Sequence, residues 1–123
     1  MNSDPAGATV LVVEDEVFVR LDLVACLEEA GFKAVQAANA DQAIGILEAR
    51  NDIRLVFTDV DMPGSMDGLK LAAYVHDRWP PIKLIVASGH VALQPNQIPS
   101  GGRFFPKPYD RPDVCEAVRQ LIG

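Results

Sequence analysis

Ile53-Arg54-Leu55-Val56-Phe57-Thr58-Asp59 runs directly into Val60-Asp61-Met62-Pro63-Gly64-Ser65-Met66-Asp67-Gly68. The first stretch is apolar and β-branched and ends on a carboxylate. The second is polar and turn-prone. Together they read as a buried strand that delivers Asp59 to the rim of a sheet. A second run of the same kind, Thr9-Val10-Leu11-Val12-Val13, ends on Glu14-Asp15. Carboxylates gathered at neighbouring strand tips repel one another unless a cation lies between them.

Outward from these two runs, strand-like and helix-like segments alternate. Val17, Phe18, Leu21, Val24 and Ala25 follow helical spacing, and Gly31 is a natural helix stop. Lys33–Ala37 reads as a short second strand. Asn39 with Gln42 resembles a capping box, and Ala43, Ile44 and Leu47 form the stripe of a second helix. A third helix begins near Asp67-Gly68, with Leu69, Ala72, Ala73 and His76 on one face, and stops before Pro80-Pro81. Ile82–Ser88 is a fourth strand and Phe104-Phe105 a fifth. Val114, Ala117, Val118 and Leu121 give the last helix its stripe. Between Gly89 and Gly102, Pro95, Pro99, Gly101 and Gly102 leave room for a turn or two of helix, around Asn96–Ile98.

Strict alternation with near-continuous apolar strands predicts an α/β fold, a doubly wound five-stranded parallel sheet covered by helices on both faces. Residues 1–8 are expected to be a flexible N-terminal segment and residues 9–123 one domain. At 123 residues the chain should bury roughly two-thirds of its unfolded surface, enough for a core without staples. The net charge of −6 and the lack of a basic cluster exclude electrostatic nucleic-acid binding. Neither a signal peptide nor a membrane span is legible, so a cytoplasmic location is expected. Cys26 and Cys115 lack metal-ligand spacing and read as two buried free thiols in a reducing compartment. Trp79 reads as core-edge packing and His76 as a structural residue on the third helix. His90 lies near enough to Ser88 to affect water access.

In doubly wound sheets functional groups collect at the carboxyl ends of strands. Glu14, Asp15, Asp59, Ser88 and Lys107 all fall there. Glu14, Asp15 and Asp59 suit a hard cation such as Mg²⁺, which takes oxygen ligands. A carboxylate so placed can accept a phosphoryl group as an acyl phosphate. The charge that develops in that transfer would be met by the metal, the Lys107 ammonium and the Ser88 hydroxyl.

Five motifs in order carry a family resemblance: Val13-Glu14-Asp15-Glu16, Thr58-Asp59-Val60-Asp61-Met62-Pro63, Asp67-Gly68, Ala87-Ser88-Gly89 and Phe105-Pro106-Lys107-Pro108. The chain from Thr9 to Leu121 resembles the receiver domain of bacterial two-component response regulators, either single-domain or excised from a longer protein. The resemblance implies strand order 2-1-3-4-5, as in the chemotaxis regulator that exemplifies this topology. It implies that Asp59 is phosphorylated by a histidine kinase or phosphotransfer protein, and that Asp15 with Glu14 holds Mg²⁺, helped by the Asp61 backbone carbonyl. It further implies that Ser88 swings toward the phosphoryl group and Lys107 bridges to it, placed by a cis Lys107–Pro108 peptide, with Phe104 as the aromatic switch. Such a domain is a signalling unit, not an enzyme, although it takes part in its own phosphorylation and dephosphorylation. Its partners would be the phosphodonor and a downstream protein target, and the chain itself a monomer or weak dimer.

Three departures stand out. Gly64-Ser65 lengthens the loop between Asp59 and Asp67-Gly68, Phe104 lacks the hydroxyl of a tyrosine, and the family's fourth helix is expected to be short or irregular between Gly89 and Gly102. Two rival readings are an unphosphorylated pseudo-receiver, which the intact acidic set argues against, and a small Mg²⁺-dependent phosphohydrolase. The latter has an Asp-x-Asp like Asp59-Val60-Asp61, but that motif follows the first strand and needs a longer chain. Val91–Arg103 is expected to be mobile at rest and ordered by phosphorylation.

Overall fold

A computed structural model describes residues 7–89 and 94–123. In chain order the elements are β1 (Thr9–Val13), α1 (Val17–Glu29), β2 (Lys33–Ala37), α2 (Ala40–Ala49), β3 (Ile53–Asp59), α3 (Gly68–Arg78), β4 (Lys83–Ser88), a single 3₁₀ turn (Pro95–Gln97), β5 (Arg103–Pro106) and α4 (Arg111–Ile122). All strand pairings are parallel, in the order β2-β1-β3-β4-β5. The order reverses at β1 and β3, so a crevice opens at their carboxyl ends.

The sheet is apolar on both faces because both are covered. Val10, Val12, Leu55, Phe57 and Ile85 pack with α1 and α4, while Leu11, Val13, Val56, Leu84 and Val86 pack with α2 and α3. Alternate residues along one strand thus serve different cores, as a period of two requires. Asn39 caps α2 by accepting from Gln42 N at 2.8 Å, and Gln42 Oε1 accepts from Ala38 N at 2.7 Å. The first bond is half of the capping box expected from the sequence; the return bond goes to Ala38, the residue before the cap, and not to Asn39 itself.

Two expected helix faces differ from the observed ones. In α1 the buried residues are Leu23, Val24 and Leu27. Val17, Phe18, Leu21 and Ala25, expected on the same stripe as Val24, are exposed. This helix is apolar on two sides, and only one can meet the sheet. In α3 the buried stripe is Leu71, Ala72 and Val75. Leu69 and His76 are half-buried and Ala73 is exposed. Val75 and Leu71 reach the sheet one position away from the expected line. Trp79 is half-buried beside Arg78, whose guanidinium lies 4.9 Å from the indole centroid. Strand β4 starts at Lys83, one residue later than expected, and β5 extends one residue beyond Phe104-Phe105 at each end.

The stretch after β4 holds only the turn Pro95–Gln97 among its described residues. The prolines remove backbone donors there, as the sequence suggested. The expectations for residues 1–6, for His90 and for Val91–Leu93 lie outside the described residues. No helix among the described residues is long and apolar enough to cross a membrane.

Candidate functional site

Three strand ends converge on one spot. β1 hands over Glu14 and Asp15, β3 ends on Asp59, and β4 ends on Ser88. Lys107 follows β5 and is anchored there by its N–H, which donates to Ser88 O at 2.9 Å. Its peptide bond to Pro108 is cis, as the resemblance implied.

Carboxylate oxygens of Glu14, Asp15 and Asp59 all lie within 4.8 Å of one another. Glu14 is 1% exposed and Asp59 3%, whereas Asp15 is open to solvent. Lys107 Nζ reaches both buried acids, 3.4 Å from Glu14 Oε1 and 3.2 Å from Asp59 Oδ2. One ammonium therefore serves two buried carboxylates while a third stands beside them. Hard oxygen donors with surplus negative charge fit a divalent cation such as Mg²⁺.

The site's electrostatics follow from that imbalance. Burial pushes Glu14 up to about 6, and the nearby Asp59 charge adds to the rise. The Glu16 N–H, donating to Glu14 Oε2 at 3.1 Å, and Lys107 pull the other way without cancelling it. Burial likewise raises Asp59 above the usual carboxylate range, against the pull of Lys107. For Lys107 burial disfavours the charge, but Asp59 and Glu14 outweigh it and hold the ammonium above its ordinary value. Tyr109, beneath the site and in edge contact with Phe57, is pushed up to about 12 by burial and by the two acids.

Backbone groups hold the acids in place. Asp61 N–H donates to Asp59 Oδ1 at 3.3 Å, and Arg20 Nη1 donates to Glu14 O at 2.7 Å. Gly68, the first residue of α3, abuts the tip of β3. A Cβ there would collide with the backbone of Asp59 and Val60, so any other residue would push the strand end aside. The Asp-Gly pair is thus a packing requirement of the site.

Asp61 has a second role that the sequence did not reveal. Its carboxylate is exposed and accepts from Ser88 Oγ at 3.1 Å, outside the three-acid cluster. Phe104 is half-buried, at the end of a shallow hollow it shares with Ile98, Pro99 and Gly102. Glu14, Asp15, Asp59, Ser88, Asp61 and Lys107 are thus brought together, while Phe104 sits one strand away along β5.

Residues 10–119 match the response regulator receiver domain. The chain belongs to that family. It is 34% identical to the sensor kinase CckA of Brucella abortus over 94% of this chain, which spans 13% of that much longer protein. It is 29% identical to the response regulator receiver protein CpdR of Brucella abortus, covering 92% of this chain and 95% of that one. Among solved structures, the response regulator TrrA of Thermotoga maritima in complex with Mg(2+)-BeF superposes with a TM-score of 0.79 at 26% identity, covering 92% and 97% of the two chains. Receiver domains are signalling domains of two-component systems. They bind Mg²⁺ at their acidic site and interact with histidine kinases and downstream effectors.

Proposed function

We propose that this receiver domain is a phosphoacceptor whose Asp59 takes a phosphoryl group from a histidine kinase or a histidine phosphotransfer protein in the cytoplasm. The observation that carries the reading is the Lys107 ammonium held between Glu14 and Asp59 at the tips of converging strands. In the transfer, an Asp59 carboxylate oxygen forms the new bond to phosphorus as the donor's N–P bond breaks. The leaving imidazole nitrogen takes up a proton. The product is an acyl phosphate.

Glu14, Asp15 and Asp59 would hold Mg²⁺ with the Asp61 backbone carbonyl. The metal would supply the positive charge that lets a further anion approach this cluster. Lys107, already paired with Asp59, then faces the oxygens of the phosphoryl group it carries. Ser88 must leave Asp61 to reach the same group. That exchange of hydrogen bonds gives the domain two discrete states, which phosphorylation biases and the Phe104 region and the Val91–Arg103 segment transmit. Hydrolysis of the acyl phosphate by the domain itself resets it. The output is a protein contact, and the net charge of −6 speaks against nucleic acid as the target.

The exposed apolar residues of α1 fit the docking of the phosphodonor. Val17, Phe18 and Leu21 are 48%, 80% and 45% exposed and follow directly on Glu14-Asp15-Glu16. A hollow of about 320 Å³ between Val19, Asp22, Lys107, Pro108, Tyr109 and Arg111 joins that surface to the lysine loop. An apolar patch rimmed by charge beside the acidic site suits an amphipathic helix presenting a histidine.

Intact mass after incubation with Mg²⁺ and acetyl phosphate tests the reading. The mass should rise by one phosphate, the rise should vanish in excess EDTA, and Asp59→Asn should stay unlabelled. Equal labelling of the Asn variant would overturn the assignment.

A further inference from the structure

Cys26 and Cys115 are 89 residues apart in sequence, yet their Sγ atoms lie 3.0 Å apart in the seam between α1 and α4. The seam has a regular register. Asp22 Oδ1 meets Arg111 Nη1 at 2.9 Å. Four residues further along both helices the two sulfurs meet. Four further still, Arg119 Nη2 donates to Ala30 O at 3.5 Å. The two helices therefore run side by side in step, with the sulfurs clamped between a polar contact one turn before and another one turn after. The sulfurs are within about 1 Å of the length of a disulfide bond, roughly 2.05 Å.

We infer that Cys26 and Cys115 are a redox modification site: a dithiol that a peroxide converts to an intramolecular disulfide tying α1 to α4. The inference is independent of the phosphoryl-transfer reading. The two thiols differ in a way that sets the order of events. Cys26 is partly exposed, while Cys115 is 5% exposed, and burial with the neighbouring sulfur pushes its thiol up to about 12. The exposed partner meets the oxidant first. The Cys26 thiol loses two electrons to the peroxide, whose O–O bond breaks, giving a sulfenic acid and one water. The Cys115 sulfur then attacks the Cys26 sulfur. The S–S bond forms, the S–O bond breaks, and the departing hydroxide leaves as a second water with the Cys115 proton. The net change is two thiols and one hydrogen peroxide to one disulfide and two waters. A thiol reductant reverses it by exchange.

The bridge would join the helix that follows Glu14-Asp15 to the helix that follows Lys107-Pro108, fixing the hollow between them. Because it closes so long a loop, it should also restrict the unfolded chain and raise Tm by on the order of 10 °C. The test uses the full chain treated with hydrogen peroxide. The expected result is a monomer 2 Da lighter, a proteolytic fragment joining the two cysteine segments, a higher Tm, and full reversal by dithiothreitol. Cys26→Ser, altered at the more exposed position, should fold and show neither the mass loss nor the Tm rise. Oxygen addition at Cys26 without loss of 2 Da, or covalent dimers in place of the internal bridge, would overturn the inference.

Discussion

Along β1 and β3, two regions of opposite design meet within one or two residues. Val10–Val13 and Leu55–Phe57 are almost wholly inaccessible and apolar on both sides. Glu14, next after Val13, and Asp59, two residues after Phe57, are nearly as inaccessible but ionisable and set beside each other. The interior gains from every buried carbon. The tips lose from buried charge that a single ammonium offsets only in part. The contrast shows where the fold derives its stability and where it uses that stability. A rigid interior holds acids at a separation they would not choose, which leaves them poised for a cation and a phosphoryl group.

The sharpest way to break this contrast is to weaken the interior. Phe57 is 1% exposed and sits two residues before Asp59, against Tyr109 at 5.8 Å between ring centroids. Phe57→Ala should cost about 3–5 kcal/mol through lost transfer energy and the cavity left behind. Urea unfolding followed by circular dichroism measures it. A loss below about 1 kcal/mol would mean that the interior is not the source of rigidity claimed for it.

The interior and the acids were legible in the sequence for a simple reason. Parallel strands bring their carboxyl ends together whatever the details of helix packing. Acids that end neighbouring strands are therefore near one another. Glu14, Asp15, Asp59, Ser88 and Lys107 could all be placed that way. The short turn at Pro95–Gln97, the one helical element among the described residues after β4 and before β5, was legible too, because Pro95, Pro99 and the Gly101-Gly102 pair act locally. What could not be read depends on how a helix rotates about its axis. The apolar residues of α1 fit two faces, and spacing alone could not decide which one meets the sheet. The meeting of Cys26 with Cys115 depends on the relative register of two helices distant in sequence. The only signal was that each lay in a helical segment. The bond between Ser88 and Asp61 depends on the exact path of the loop after β3, which its turn residues do not specify.

A smaller effect of opposite sign should come from relieving the tip. Glu14 rises from 4.5 to about 6 in the folded chain, chiefly through burial. Between those values the folded state binds more protons than the unfolded state. Its stability therefore falls as pH rises through this window and stays lowered above it. Glu14→Gln removes that penalty. In EDTA at pH 7 the variant should be more stable than wild type by about 1–2 kcal/mol. The gap should narrow as pH falls through this window and close below pH 4.5, where the wild-type group is protonated in both states. Mg²⁺ should narrow the gap from the other side by stabilising wild type. A pH-independent difference would show that the tip carries no such strain.

The smallest effect on stability should come from Phe18, and it separates surface from core within a single helix. Its neighbours on the inner side, Leu23 and Leu27, are buried, while Phe18 is 80% exposed. Phe18→Ala should change unfolding free energy by no more than about 0.5 kcal/mol, because an exposed ring has little to lose on truncation. Labelling by acetyl phosphate should also be unaffected, since the small donor needs no docking surface. Transfer from a phosphorylated histidine protein should nonetheless slow by on the order of tenfold, the usual effect of removing an aromatic anchor from an interface. Running both donors on one preparation keeps the two roles apart. If both rates fell together, Phe18 would support the acidic site itself. If neither fell, the apolar face of α1 would not be where the phosphodonor lands, and the hollow beside Lys107 would have to receive it from another direction.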